Sequence, residues 1–219
     1  MLNKIRAIIW DFGNILASFD HLKACRTLAT YCRVGSPEWV FEKLWAGDES
    51  PAKLLEIGRL TPQQFFNEAL RILPFAKEIS FQEFSNIWSD VFWENYGISE
   101  IIDIVRPEIK QCICSNTDPI HWTAIEQLQV MKEHFSDPAL LTRSYISGTR
   151  KPDIKIYRDA LATLQMGESE VDHVLYIEDT AIYQRAFQEM GGNVLPYDCT
   201  KDDIVQLNIR LYEFGVLMS

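Results

Sequence analysis

Hydrophobic and polar positions change rhythm twice along this chain of 219 residues. Near the start, Ile5, Ala7, Ile8, Ile9 and Trp10 form an almost unbroken apolar run that stops at Asp11-Phe12-Gly13-Asn14. A run without alternation is the pattern of a strand covered on both faces, as in a parallel sheet. After Leu16 the spacing turns helical and stays so as far as Trp93. Asp20 predicts the cap of a helix through about Cys32, with Leu22, Cys25, Leu28 and Ala29 on one face. Ser36-Pro37 and Ser50-Pro51 each place a capping serine before a proline at the first helical position, the second helix ending near Gly58. Thr61 with Gln64, and Ser80 with Glu83, have the form of capping boxes. Five helix starts without an intervening strand signal predict a small α-helical subdomain. Its aromatic residues, Trp39, Trp45, Phe65, Phe66, Phe84 and Trp88 among them, are spaced for core packing.

From Ile98 the rhythm becomes strand–helix again. A short helix from Glu100 to Val105 precedes a strand Lys110–Cys114 that ends in Ser115-Asn116-Thr117. Asp118-Pro119 starts a helix carrying Ile120, Ala124, Leu128 and Met131. A short strand is predicted over Arg143 to Ser147, and Gly148-Thr149-Arg150-Lys151-Pro152-Asp153 leads into a helix with Ile156, Tyr157, Ala160, Leu161 and Leu164. His173–Ile177 reads as an apolar strand ending in Glu178-Asp179. A helix from Ala181 to Met190 stops at Gly191-Gly192, Asn193–Leu195 is a last core strand, and Thr200 caps a final helix. Strands alternating with helices predict an α/β fold with a doubly wound parallel sheet. Residues 1–16 and 95–219 are expected to form the α/β core, and 17–94 the helical insertion.

Composition narrows the function classes. The chain is 47% apolar and 24% charged, the make-up of an ordinary globular protein. Its formal charge of −10, without a Lys/Arg-rich run, counts against a nucleic-acid partner. No stretch approaches the ~18 apolar residues that cross a bilayer, so no membrane partner is expected. Five cysteines (Cys25, Cys32, Cys112, Cys114, Cys199) are an odd number without zinc-type spacing, and read as reduced thiols of a cytoplasmic protein. Cys112 and Cys114, two apart on one strand, are expected to share a face.

Three predicted strands end in polar clusters: Asp11, then Ser115-Asn116, then Glu178-Asp179. Lys151 opens a helix between the last two. In a parallel sheet the carboxyl ends of the strands share one edge, so these groups can converge in one crevice. A carboxylate there can act as a nucleophile, a hydroxyl and a lysine can hold an anion, and two carboxylates with a backbone carbonyl suit Mg²⁺. On Asp11 in DFGNIL, Ser115 in SNT, Lys151 in RKPDIKIY and Asp179 in YIED, in this order and spacing, the chain resembles the haloacid dehalogenase-like (HAD) hydrolases. DFGN, SNTDPIH and GTRKPD look closest to the family's sugar phosphatases of the glucose-1-phosphatase type.

That resemblance implies a Rossmann-like core with a helical cap domain, and a phosphatase of small phosphorylated metabolites. Asp11 would be the nucleophile that forms an aspartyl-phosphate. Ser115, Asn116, Lys151 and the backbone N–H groups near Gly13 and Asn14 would hold the phosphoryl group. Asp11, Asp179 and the Gly13 carbonyl would hold Mg²⁺. A monomer or homodimer is expected, with a small phosphorylated substrate as partner. Two positions depart from the family pattern. Gly13 stands where most members carry a second aspartate that protonates the leaving group; Asp20, His21 and His121 are the nearest candidates to replace it. Tyr183 stands where a further Asp or Asn usually supports the metal, and Glu178 could partly substitute. Two alternatives follow: a catalytically impaired binding protein, and a metal-independent 2-haloacid dehalogenase.

Overall fold

The computed structural model describes residues 4–218; residues 1–3 and 219, the outer ends of the expected α/β core, lie outside them. Along the chain the elements are β1 (Ala7–Trp10), β2 (Ala17–Phe19), α1 (His21–Ala29), α2 (Pro37–Trp45), α3 (Pro51–Glu56), α4 (Pro62–Ile72), α5 (Phe81–Ser89) and β3 (Phe92–Glu94). They continue with α6 (Ile98–Asp103), β4 (Lys110–Ser115), α7 (Pro119–Ile125), α8 (Gln129–His134), β5 (Leu141–Arg143), α9 (Ser144–Ser147) and α10 (Ile154–Thr163). The last four are β6 (Val174–Glu178), α11 (Ala181–Glu189), β7 (Asn193–Pro196) and α12 (Ile204–Glu213).

Among the described residues, β5-β4-β1-β6-β7 form one parallel sheet, as the unbroken apolar runs predict. β1 lies at its centre with all four residues buried. Alternate residues feed two apolar layers. Ile8, Trp10, Ile113 and Ile177 pack under α6, α7, α8 and α12, while Ala7, Ile9, Cys112, Cys114 and Tyr176 pack under α10 and α11. The two strand cysteines therefore do share a face. Register aligns the strand ends: Trp10 pairs with both Ile113 and Ile177, which puts Asp11, Ser115 and Glu178 at one edge.

Helices α1–α5 pack around a separate core that includes Leu28, Leu44, Leu55, Phe65, Phe84 and Trp88. Each such buried large side chain contributes roughly 1.5–3 kcal/mol, which is how short helices persist there. The block is entered and left through an antiparallel ribbon in which Ala17 pairs with Glu94 and Phe19 with Phe92. These three-residue strands are too short to show a two-residue period, and none was expected.

Other details differ from expectation for local reasons. α1 ends at Ala29, and Cys32 pairs instead with Phe75 in an isolated bridge. Ser80 caps α5 through Glu83 N, but the Glu83 carboxylate accepts from the Tyr31 hydroxyl, so the box does not close. The expected helix from Pro119 to Met131 is two helices, because Leu128 takes an extended backbone. The strand expected at Arg143–Ser147 is shifted to Leu141–Arg143, and a helical turn follows. Thr200 bonds through both N and Oγ1 to Asp198, and Asp203 caps the last helix. No helix among the described residues is long and apolar enough to cross a membrane.

Candidate active site

β1 ends at Trp10, and the chain then turns sharply. The N–H groups of Leu16 and Ala17 both reach the Phe12 carbonyl, and Asn14 adopts a left-handed φ of 55°. This loop sets Asp11 at the edge of the sheet, its N–H on the Ile177 carbonyl. Lys151 is buried and donates from Nζ to Asp11 Oδ1 at 2.6 Å and to Glu178 Oε2 at 2.8 Å. Its backbone is clamped by Asn116, whose Oδ1 accepts from Lys151 N at 2.8 Å while Nδ2 donates to Lys151 O. Ser115, at the end of β4, is buried, and its only hydroxyl bond among the described residues is a long 3.4 Å one to Asn116 O.

Glu178 does not behave as a free ligand. One oxygen accepts from Lys151 and the Tyr176 hydroxyl, the other from Thr180 N. It holds Lys151 rather than facing the cavity. Asp179, the next residue, lines the cavity and accepts from Asn14 Nδ2 and the Thr180 hydroxyl. Burial, with Glu178 beside it, pushes the Asp179 carboxyl up to about 6. Burial also raises Asp11, against the pull of Lys151. Burial disfavours the Lys151 charge, but Asp11 and Glu178 outweigh it and drive the ammonium well above its ordinary value.

Three carboxylates, Asp11, Glu178 and Asp179, offer oxygens within 4.8 Å of one another, against one ammonium. The excess of buried negative charge, and a donor set made only of hard oxygens, fit a divalent cation such as Mg²⁺. Asp11 and Asp179 have the free capacity to ligate it. Tyr183, at the position expected to support the metal, does something else: its ring lies 5.1 Å from Lys151 Nζ and its hydroxyl 3.4 Å from Asn116 Nδ2.

A cavity of about 160 Å³ lies over this edge, with Asp11, Gly13, Ser115, Lys151 and Asp179 in its lining. The expected site residues are thus brought together, with Asn14 one step back, behind Asp179. Gly13 has a packing reason to be glycine: a Cβ there would sit 2.7 Å from Phe19 Cε1. The ring of Phe19 fills the space that a second aspartate would need.

The helical block supplies the opposite wall. Of the three residues considered as replacements for the missing aspartate, Asp20 is outside the cavity lining, capping α1 through Leu22 N and pairing with Arg26. His121 lies in the wall, but both ring nitrogens are committed, Nδ1 to Asp118 Oδ2 at 2.7 Å and Nε2 to the Trp88 carbonyl at 3.0 Å. His21 stacks on it at 5.2 Å; burial and the neighbouring His121 push His21 down to about 3. Sequence reasoning missed two residues of this wall. Glu56, the last residue of α3, reaches Arg150 with Oε2–Nε at 3.0 Å. Glu56 reads in sequence as one more polar residue of a short helix, and only the approach of α3 to α9 brings it over the sheet edge.

No family model matches the chain, and no curated protein sequence does. Solved structures do match. A HAD family enzyme of Bacteroides thetaiotaomicron, in complex with magnesium and inorganic phosphate, superposes with a TM-score of 0.76 at 18% identity over 93% of this chain and 98% of its own. A predicted HAD-like family hydrolase of Porphyromonas gingivalis gives 0.75 at 19% identity, covering 96% and 98%. The L-2-haloacid dehalogenase of Xanthobacter autotrophicus, with chloropropionic acid covalently bound, gives 0.61 at 14% identity over 98% and 85%. The fold of the chain, a Rossmann-like core with its helical block over the strand ends, is that of the haloacid dehalogenase-like hydrolases.

Proposed function

We propose that the protein is a Mg²⁺-dependent phosphatase of a small phosphorylated metabolite, probed most naturally among sugar phosphates, working through a phospho-Asp11 intermediate. The observation that carries this reading is the buried Asp11–Lys151–Glu178 chain, of which Asp11 and Lys151 line one cavity together with Asp179. Lys151 holds Asp11 in place and offers its remaining N–H to a phosphoryl oxygen. The Ser115 hydroxyl, free of a short partner, is available to a second oxygen. Asp11 attacks phosphorus, the ester oxygen leaves, and water then releases phosphate from Asp11. A divalent ion held by Asp11, Asp179 and the Gly13 carbonyl would offset the repulsion between carboxylate and phosphate when bound. Glu178 keeps Lys151 charged and aimed. The helical block acts as the cap, with Phe19, His21 and Phe92 facing the leaving group and shielding it from water.

The same cavity favours phosphoryl over carbon chemistry on one count. Its excess of carboxylates calls for a cation, which a metal-independent dehalogenase does not need. A second reading, an impaired enzyme that binds without turnover, is favoured by the Phe19 ring in the place of a second aspartate. One experiment separates them: hydrolysis of 2,4-dinitrophenyl phosphate with Mg²⁺ and with EDTA, using Asp11→Asn as blank. The phosphatase gives Mg²⁺-dependent release that Asp11→Asn abolishes. A pure binder gives thermal stabilisation by inorganic phosphate and no release.

A further inference from the structure

Phosphoryl transfer to Asp11 leaves an oxygen that must be protonated unless it is already a good leaving group, and Gly13 has no side chain to do this. Few groups in the cavity lining could do so. His121 has both nitrogens engaged, by Asp118 and the Trp88 carbonyl. His21 is held neutral, and a neutral imidazole is a poor acid. Asp179 belongs to the proposed metal site. Among the cavity-lining carboxyls of the described residues, that leaves Glu56.

We infer that Glu56, carried over the sheet edge by α3, is the catalytic acid and base of this site, replacing the side chain that Gly13 lacks. This rests on the phosphatase reading above. Three observations support it. Glu56 lines the same cavity as Asp11 and is buried, at 7% exposure. Its Oε2 is shielded from solvent and forms an ion pair with Arg150 Nε at 3.0 Å, but that pair lacks hydrogen-bond alignment, so neither atom has a hydrogen-bond partner among the described residues. And the Phe19 ring closes the alternative position beside Gly13.

The surroundings suit a group that must change protonation state. Burial raises the Glu56 carboxyl, with Asp118 adding to the rise and Arg150, His121 and Lys53 opposing it. A bound phosphate dianion pushes in the same direction, towards the acid form. After proton transfer the carboxylate is stabilised by the adjacent guanidinium. The steps balance. Asp11 Oδ bonds to phosphorus, the P–O ester bond breaks, and its electron pair takes the proton of Glu56, releasing the alcohol. Glu56 then takes a proton from the water that attacks phosphorus. The P–Oδ bond breaks, its electrons return to Asp11, and inorganic phosphate leaves.

The test is a series of aryl phosphates of increasing leaving-group pKa, from 2,4-dinitrophenyl to phenyl phosphate, on wild type and Glu56→Gln. A phenolate of low pKa leaves without a proton, whereas phenol needs one. General acid help is worth ~10²–10⁴ in rate. Glu56→Gln is expected to lose about that factor in kcat/KM on phenyl phosphate, and less than about threefold in kcat/KM on 2,4-dinitrophenyl phosphate, because kcat/KM reports the transfer to Asp11 and not the hydrolysis of phospho-Asp11 that both substrates share. The ratio of the two rates is independent of how much of the variant is folded. If Glu56→Gln yields no folded protein, Glu56→Asp is read on the same ratio and is expected to fall between the two. Equal loss on both substrates, or no loss on phenyl phosphate, overturns the proposal. A wild type that hydrolyses neither ester above the Asp11→Asn blank overturns the phosphatase reading itself, and the proposal with it.

Discussion

At the scale of single residues the site is governed by buried charge. Lys151 sits between Asp11 and Glu178 with almost no solvent around it. Removing one partner of such a set leaves an uncompensated buried charge, which typically costs ~3–5 kcal/mol, so Glu178 is best understood as what keeps the lysine charged and still. The Asp-Glu-Lys chemistry was legible in the sequence as two strand ends and the start of a helix. The division of labour was not, because Glu178-Asp179 looks like a pair of equivalent carboxylates until the Tyr176 hydroxyl and Thr180 N–H are seen to occupy one of them. Gly13 was equally opaque: its neighbour Phe19 is six residues away and returns only through the turn. Gly13→Asp alone is expected to lower stability by ~1–3 kcal/mol through overpacking, without a gain in rate. Combined with Phe19→Ala, which vacates the ring's space, it is expected to raise kcat on phenyl phosphate above that of Phe19→Ala alone. Steady-state kinetics and urea titration of the three variants check both statements.

Among elements, the joint between α5 and α7 is held by Asp118. Its carboxylate caps α7 through the N–H groups of Ile120 and His121, and the same group accepts from Trp88 Nε1 and the His121 ring. Burial opposes the charge of Asp118, yet His121 and these donors hold its pKa below the ordinary value. A depressed carboxylate contributes stability that is present above its unfolded pKa, ~4, and is lost as pH falls through the folded one. Asp118→Asn keeps the cap, since asparagine serves as well at that position, and removes only the charge. The variant is expected to be less stable than wild type at pH 7, and the gap to shrink progressively below pH ~4. Thermal melts across that range measure it, and a gap that widens on acidification would sink the account. The helix starts were readable because Ser36, Ser50, Thr61, Ser80, Asp118 and Asp153 announce themselves. The short β2–β3 ribbon and the break at Leu128 were not, since neither leaves a periodic trace.

For the whole molecule, what matters is how closely the helical block lies on the sheet edge. Gly58, just after α3, has a positive φ of 68°, and a Cβ there would meet the Tyr145 carbonyl of α9 at 2.5 Å. With the Glu56–Arg150 pair two residues away, this contact sets the height of the roof over Asp11. Gly58→Ala is expected to loosen the block while leaving the sheet intact: faster proteolysis between residues 20 and 91, higher KM, and an unchanged fluorescence melt for the core. An identical proteolytic pattern would show that the contact is not limiting. Unbroken apolar runs made the parallel sheet visible in advance, whereas the closeness of this approach is a property of two distant surfaces and leaves no local mark.

The β2–β3 ribbon has a consequence of another kind. Because the insertion departs and returns on hydrogen-bonded neighbours, Phe19 beside Phe92, its two ends are already joined. The ribbon is a stem, and what it carries is a graft. Lengthening, trimming or exchanging the graft is expected to leave the register of β1 against β4 and β6 untouched, while every such exchange redraws the wall opposite Asp11. The stem thus separates the wall of the cavity from the sheet edge beneath it, and in this chain a single residue of the graft, Glu56, reaches across to Arg150 beside Lys151.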